Sequence, residues 1–291
     1  MQITPNCPIC LSDNITKSSA IMMPFLSYRI FGWMPFEIND ETGFRSLKNG
    51  TAYQLCNTCF CNECNFIFCD IRFNDGEMAK LYREYRGPEY NKQRQLFETD
   101  YEATSDYLAE PLHYLSMVEA YISSQVSKFD KILDWGGDTG VNTPFKSENK
   151  SLYVYEISQK EELILPNGIH SLNSLSGKEN SFDLITALHV FEHLSYPLEE
   201  LTELIKYIAP GGHIYIEVPL EKIVDFETPL LSAAATKKHW HEHLNFYSKK
   251  SLNKLFSKVG LDVIDVRSVD VSDGFRQFNI QQAIGRKPLL S

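Results

Sequence analysis

Residues 129–140 read FDKILDWGGDTG, a short apolar run that reaches Asp134 and then breaks into a glycine-rich turn. A run of this length reads as a strand. Glycines at its carboxyl end let the backbone turn with positive φ and approach a ligand where a Cβ would collide. Gly136, Gly137 and Gly140 occupy the turn, with Asp138 among them. Glycines also punctuate ordinary turns, so the segment alone indicates only a nucleotide-type strand–turn site.

The downstream pattern carries the reading further. Residues 152–157 form the next apolar alternation, and Glu156 lies near its end. Doubly wound nucleotide folds place a ribose-binding carboxylate about 20 residues beyond the first strand, where an acceptor-only side chain takes both hydroxyls. A solvated glutamate at a strand end is the competing reading. A short third strand falls around residues 168–172, and a fourth runs over 182–189 into HVFEHL. Residues 197–208 read as a helix, with Pro197 at its start, Leu201, Leu204, Ile205 and Ile208 at helical spacing, and Pro210-Gly211-Gly212 as its stop. A fifth strand follows over 213–218, then a helix over 249–259 closed by Gly260, and strands over 261–269 and 275–284. Strands alternating with helices imply βαβ units and a mostly parallel sheet that binds ligands at the carboxyl ends of its strands. Asp134, Glu156 and His189 all fall at such ends.

The turn that follows Asp134, together with SFDLITALHVFEHLSYPLEELTELIKYIAPGGHIYIEVP over residues 181–219, resembles the class I S-adenosylmethionine (SAM) methyltransferases. Their first motif is D-x-G-x-G-x-G. Gly136 and Gly140 fall on its first and last glycines, and Asp138 replaces the middle one. The resemblance implies an α/β fold with a Rossmann-like, mostly parallel seven-stranded sheet. It also implies a SAM site that includes Asp134, Gly136, Gly137, Asp138, Gly140, Glu156 and His189.

Seven cysteines, all before residue 70, form a second feature: Cys7 and Cys10, Cys56 and Cys59, Cys61 and Cys64 at C-x-x-C spacing, and Cys69. Two such pairs close the all-thiolate tetrahedral site that structural zinc prefers, and three pairs exceed one ion. Cys7, Cys10, Cys61 and Cys64 are the favoured ligands, because Asn65 suits the left-handed backbone conformation after a zinc knuckle. Cys56 and Cys59 are the alternative pair, and a cluster of buried thiols is the reading without metal. Four thiolates leave no open position, so this Zn2+ would be structural, stabilising a small ribbon-like domain with little core of its own.

With Lys+Arg at 28 against Asp+Glu at 38, the formal charge of −10 disfavours a generic nucleic-acid or anionic-membrane surface. Pro5, Cys7 and Pro8 interrupt any signal-peptide pattern, and Pro24, Arg29 and Pro35 divide the apolar stretch 21–36, which reads as domain packing. The expectation is a cytoplasmic enzyme, with oligomerisation left open. Its division would be a cysteine-rich domain over 1–75, a Tyr/Arg-rich connector or lid over 76–104, and the methyltransferase domain over 105–291. The connector interleaves Tyr82, Tyr85, Tyr90 and Tyr101 with Arg83, Arg86 and Arg94. That pattern suits a lid over a cofactor cleft, an aromatic-basic nucleic-acid surface, or a solvated helix with tyrosines on the core. A helix over 107–126 follows, with Leu108, Leu112, Leu115, Ile122 and Val126 near one face.

Six of the eight histidines lie between 189 and 243. His239, His241 and His243 share one face of an extended segment and form a candidate metal triad. Acid–base work is the alternative, since histidine titrates near neutrality. A cysteine-rich N-terminus, a tyrosine-rich connector, the SAM-type core and an E-H pair after the fifth strand together resemble the zinc-containing sugar C-methyltransferase family, in its shorter relatives lacking the C-terminal domain. That resemblance implies His243 as base, Glu242 as a substrate-holding neighbour, His193 as a second active-site histidine, and Tyr90 or Tyr85 as the connector tyrosine near the substrate. Trp240 stands where that family has tyrosine. The implied acceptor is a small molecule, a nucleotide-linked sugar or related glycan precursor. Two other classes stay open: a non-catalytic SAM-fold docking subunit, which Asp138 in the glycine turn favours, and a methyltransferase acting on a protein.

Overall fold

The computed structural model describes residues 1–42, 46–101, 110–156, 165–224, 230–272 and 277–289. Its largest sheet has seven strands in the order Ile169–Leu172, Ser151–Tyr155, Lys131–Trp135, Phe182–Leu188, Ile208–Leu220, Gln277–Arg286, Asp262–Ser272. The first five are mutually parallel, and Gln277–Arg286 runs antiparallel to both its neighbours. The chain moves outward in one direction from Lys131–Trp135 and then returns to Phe182–Leu188 on its other side. This reversal is the topological switch point at which doubly wound sheets open a crevice.

Both faces of the sheet are covered, which is why its inner strands are continuous apolar runs rather than alternating ones. Ile132, Val154 and Leu184 pack with Val118 and Ile122 of the helix Leu115–Gln125. Their strand neighbours Leu133 and Ile185 pack on the opposite face with Leu201 and Leu204 of Pro197–Leu204 and with Leu252 and Leu255 of Lys249–Lys258. A Ser248–Ser251 capping box starts the last of these helices.

A five-stranded sheet carries Cys56, Cys59, Cys61 and Cys69, in the order His239–Trp240, Ile15–Met22, Leu55–Cys61, Ile67–Cys69, Asn245–Phe246. Its outer strands therefore come from far downstream. Trp240, fully buried, donates from its indole to Thr58 Oγ1 at 2.8 Å. The intervening residues 241–244 are thus held at both ends by the cysteine-bearing sheet. The helices Asp75–Tyr82 and Pro88–Gln95 lie in the connector, the first capped reciprocally by Asn74 and Glu77. No helix among the described residues is long and apolar enough to cross a membrane.

Several element ends differ from expectation. The helix expected from 107 starts at Leu115, and residues 107–109, with Leu108, lie outside the described set. Pro111 has no N–H, and the Leu112 amide donates to Asn142 Oδ1 at 2.8 Å, so the approach to the helix is diverted. The helix expected to reach 208 stops at Leu204, because Ile208 pairs with Phe182 and joins the sheet. Phe275, expected in the last strand, and Ile157, expected at the end of the second, also lie outside the described residues.

Candidate active-site cleft and cysteine centre

A cleft of ≈ 1570 Å³ opens at the switch point. Clefts that hold one small ligand measure roughly 300–1,000 Å³, so this one has room for a cofactor and an acceptor together. One part of its wall is the turn after Lys131–Trp135. Asp134, only 2 % exposed, accepts hydrogen bonds from Thr143 Oγ1 at 2.7 Å and Thr186 Oγ1 at 2.9 Å, one on each carboxylate oxygen. Burial pushes its carboxyl up to about 6, against the effect of those two hydroxyls. Asp134 thus pins the turn from beneath.

The glycines are required by what surrounds them. A Cβ on Gly136, where φ is +76°, would meet Val190 Cγ2 at 2.7 Å, and one on Gly137 would meet Asp134 Oδ2 at 2.5 Å. Gly140 packs behind the turn, near Leu165 and Pro166, rather than on the cleft wall. Asp138 has φ +47°, the left-handed geometry that a middle glycine supplies and that Asp tolerates better than most residues. Its amide donates to Glu156 Oε2 at 3.0 Å, so the second strand's carboxylate braces the turn while lining the cleft. The substitution that favoured a non-catalytic reading therefore has a conformational explanation.

His189, with φ +54°, follows the fourth strand directly. Its Nδ1 lies 3.6 Å from Glu192 Oε1, its Nε2 lies 3.2 Å from Glu217 Oε1, and Tyr114 Oη stands 2.7 Å from Nε2. Burial pulls its pKa down, but the two carboxylates outweigh burial and raise it to about 10. His189 is thus an imidazolium near neutrality, with no lone pair for proton abstraction.

Three further histidines stand close together on the cleft wall. The His193 and His243 ring centroids are 4.7 Å apart, and those of His241 and His243 are 4.6 Å apart. Burial brings His193 down to about 4, leaving it neutral at pH 7, and its Nδ1–H donates to the Glu242 carbonyl at 3.1 Å. His243 Nδ1 faces Glu221 Oε1 at 3.3 Å. A carboxylate that accepts Nδ1–H places the imidazole lone pair on Nε2. Glu242 forms an ion pair with Arg94 Nη1 and lies 3.5 Å from His241 Nδ1. Burial opposes its ionisation, but His241 and Arg94 hold it well below the usual carboxylate range. Of the connector tyrosines, Tyr85 lines the cleft, whereas Tyr90 is fully buried and meets Arg94 Nη1 at 3.1 Å through its hydroxyl.

Sequence reasoning missed Arg94, Glu192, Glu217 and Glu221. Glu217 had a signal, a charge inside the apolar strand IYIEVP, and Glu192 is the carboxylate within HVFEHL. Arg94 stood out only as one of three connector arginines and Glu221 had no signal, because their partners are brought to them only by the fold. His239 lies outside the histidine group, on the strand His239–Trp240.

The Sγ atoms of Cys7, Cys10, Cys61 and Cys64 all lie within 4.8 Å of one another, with Cys7–Cys64 at 3.6 Å and Cys10–Cys61 at 3.4 Å. Tetrahedral zinc with bonds of about 2.3 Å separates its sulfurs by about 3.8 Å, so the donors fit the ion with little movement. Leu11 and Asn65, each following the second cysteine of its pair, have φ of 66° and 59°. Cys56, Cys59 and Cys69 are buried but stand outside this quartet. The cysteine-bearing sheet is tied to the cleft through Asn245. Ser248 Oγ donates to the Cys64 carbonyl, Arg72 Nη1 donates to Asn245 Oδ1 at 2.8 Å, and Asn245 Nδ2 donates to the carbonyls of Phe191 and Leu194, which flank His193.

A family model described as "Methyltransferase domain" matches residues 74–266. Over 91 residues the chain is 32 % identical to C-methyltransferase NovU of Streptomyces niveus, a match covering 31 % of this chain and 20 % of that protein. The matched segment thus spans about a fifth of that relative's length. Among solved structures, the fold is similar to Burkholderia thailandensis 1,6-didemethyltoxoflavin-N1-methyltransferase with bound 1,6-didemethyltoxoflavin and S-adenosylhomocysteine. The TM-score is 0.51 at 14 % identity, over 77 % of this chain and 95 % of that one. The chain belongs to the methyltransferase domain family, and its core has the class I fold of SAM-dependent methyltransferases.

Proposed function

We propose that the protein transfers a methyl group from SAM to a small acceptor, a nucleotide-linked sugar or related glycan precursor, with His243 as general base. One observation carries this reading: a single cleft is lined both by the glycine turn with Glu156 and by Tyr85, His193, Glu242 and His243. The close-approach glycines and the carboxylate at the second strand end fit the cofactor. Bound SAM supplies an electrophilic methyl carbon on a sulfonium.

The chain's own residues supply positioning and proton removal. Holding an acceptor in line with the methyl carbon removes an entropic barrier worth up to roughly 7–11 kcal/mol in ideal cases. The His243 Nε2 lone pair takes the acceptor proton, and Glu221 at Nδ1 stabilises the imidazolium that results, a contribution of roughly 10²–10⁴ in rate. A hydroxyl loses its proton during attack, whereas a carbon acid must lose it first. Glu242 and neutral His193 offer hydrogen-bond acceptors to sugar hydroxyls, and Arg94 balances the Glu242 charge. The cysteine quartet would hold structural zinc with no position left for substrate. Thiolates committed to zinc accord with a reducing, cytoplasmic setting. The C-methyltransferase name of the partial relative favours a carbon acceptor.

Methyl-labelled SAM incubated with a nucleotide-sugar library and, separately, with a cell-lysate protein fraction tests this reading. Label is expected in a nucleotide sugar. Label in protein alone, or no SAM binding at millimolar concentration, would overturn it.

A further inference from the structure

We propose that Glu221, His241 and His243 form a second metal site, separate from the cysteine quartet, which takes one borderline divalent cation of the Zn2+, Co2+ or Ni2+ class. Each residue offers one ligand atom, and the three atoms lie within 4.8 Å of one another. Bonds of about 2.1 Å in tetrahedral geometry need ligand separations near 3.4 Å, a distance that small rotations of surface-side rotamers close. Two imidazole nitrogens and one carboxylate oxygen suit borderline ions, whereas Mg2+ and Ca2+ demand oxygen and Cu(I) prefers sulfur.

The backbone on which these ligands stand is anchored. His241 and His243 lie between the short strands His239–Trp240 and Asn245–Phe246, both paired into the cysteine-bearing sheet, and Glu221 directly follows Ile208–Leu220. The His241 ring is also held in place, since its Nδ1 accepts from the His243 amide at 3.3 Å and lies 3.5 Å from Glu242 Oε2, and Arg94 fixes Glu242. Both histidines line the cleft, which gives a cation a route to them. A neighbouring trio, Glu192, His193 and His243, has similar spacing. Binding there would draw the buried Glu192 carboxylate away from His189, so the Glu221 site is the favoured one.

Neutral imidazole has one lone pair, and a cation on His243 occupies it. If the proposed function holds, and this consequence rests on it, the cation inhibits methyl transfer by removing the base.

Full-length protein carrying zinc at the quartet is titrated with Co2+. One further equivalent should bind, with visible d–d absorption but no intense thiolate-to-cobalt charge-transfer band. Glu221→Gln and His241→Gln should each weaken that equivalent about tenfold or more, with zinc content and SAM affinity unchanged as evidence of folding, and His193→Gln should leave it intact. No further equivalent, a thiolate band, or loss in His193→Gln with retention in Glu221→Gln would overturn the site. Co2+ bound as described with methyl transfer undiminished would leave the site standing and overturn His243 as base.

Discussion

Gly137→Ala isolates the contact on which the cofactor side of the cleft depends. The new Cβ would stand 2.5 Å from Asp134 Oδ2, 2.9 Å from its Cγ and 3.2 Å from Val154 Cγ1, so relief requires the buried carboxylate to retreat by roughly 0.9 Å. Oδ2 accepts from Thr143 Oγ1 at 2.7 Å, and a retreat of that size carries the pair beyond hydrogen-bonding range. Losing a hydrogen bond to a buried charge costs about 1.5–3 kcal/mol, and overpacking adds about 1–3 kcal/mol. A loss of about 3 kcal/mol in the bound conformation raises the SAM Kd on the order of 100-fold. Strain that the unliganded turn does not relieve appears instead as a Tm lower by up to roughly 5–10 °C. Calorimetric titration and a melting curve read both. Gly168→Ala is the control: its φ is +86° with nothing within 4 Å of the new Cβ, so it should cost about 1–2 kcal/mol of backbone strain and leave the SAM Kd unchanged. A Gly137→Ala protein with the parent Kd and Tm would refute the claim that Asp134 pins the turn.

The purified protein should carry one equivalent of zinc, and chelation should lower its melting temperature sharply; zinc-free protein with an unchanged melting curve would contradict the quartet as a metal site. Arg94→Met leaves the Glu242 carboxylate buried without its cation, which should cost about 3–5 kcal/mol near neutrality. Because burial then raises the Glu242 pKa, the deficit should shrink as pH falls, and a pH-independent deficit in melting scans would argue against the pair. His189 has a folded pKa of about 10 against an ordinary value near 6.5. Its stabilisation is therefore fully present below about pH 6.5 and lost as pH rises through about 10. Melting scans from neutral to alkaline pH should show that loss in the parent and a flatter profile in His189→Gln.

Much of the core was legible because its signals are local. The apolar runs, their glycine stops and the carboxylates at strand ends placed Asp134, Glu156 and His189 at one edge before any contact was known. The cysteine quartet was legible because Asn65 suits a turn after a C-x-x-C pair, a backbone preference confined to one residue. The histidine wall was legible from the crowding of histidines between 189 and 243, the roles expected of them came only through resemblance, and the partners of those histidines were hidden. Arg94 reaches Glu242 across 148 positions, and Glu221 reaches His243 across 22, with no periodicity linking them. Tyr85 and Tyr90 could not be separated, because both sit in one aromatic-basic stretch and the latter is buried by tertiary packing against Phe25, Arg29 and Tyr101. The helix expected from 107 was misplaced at its start because a hydrogen bond from Leu112 to a distant asparagine competes with helical pairing. Asp138 read as an anomaly because spacing records which residue is present, not the φ it adopts.

The central claim is that His243 removes the acceptor proton at a cleft whose cofactor side functions independently. Single-turnover methyl transfer and calorimetric SAM binding, measured together on His243→Ala, test it most directly. The account predicts a rate lower by roughly 10²–10⁴ with a SAM Kd close to that of the parent. A His243→Ala protein that transfers methyl at the parent rate, or that loses SAM binding and transfer together, would contradict it.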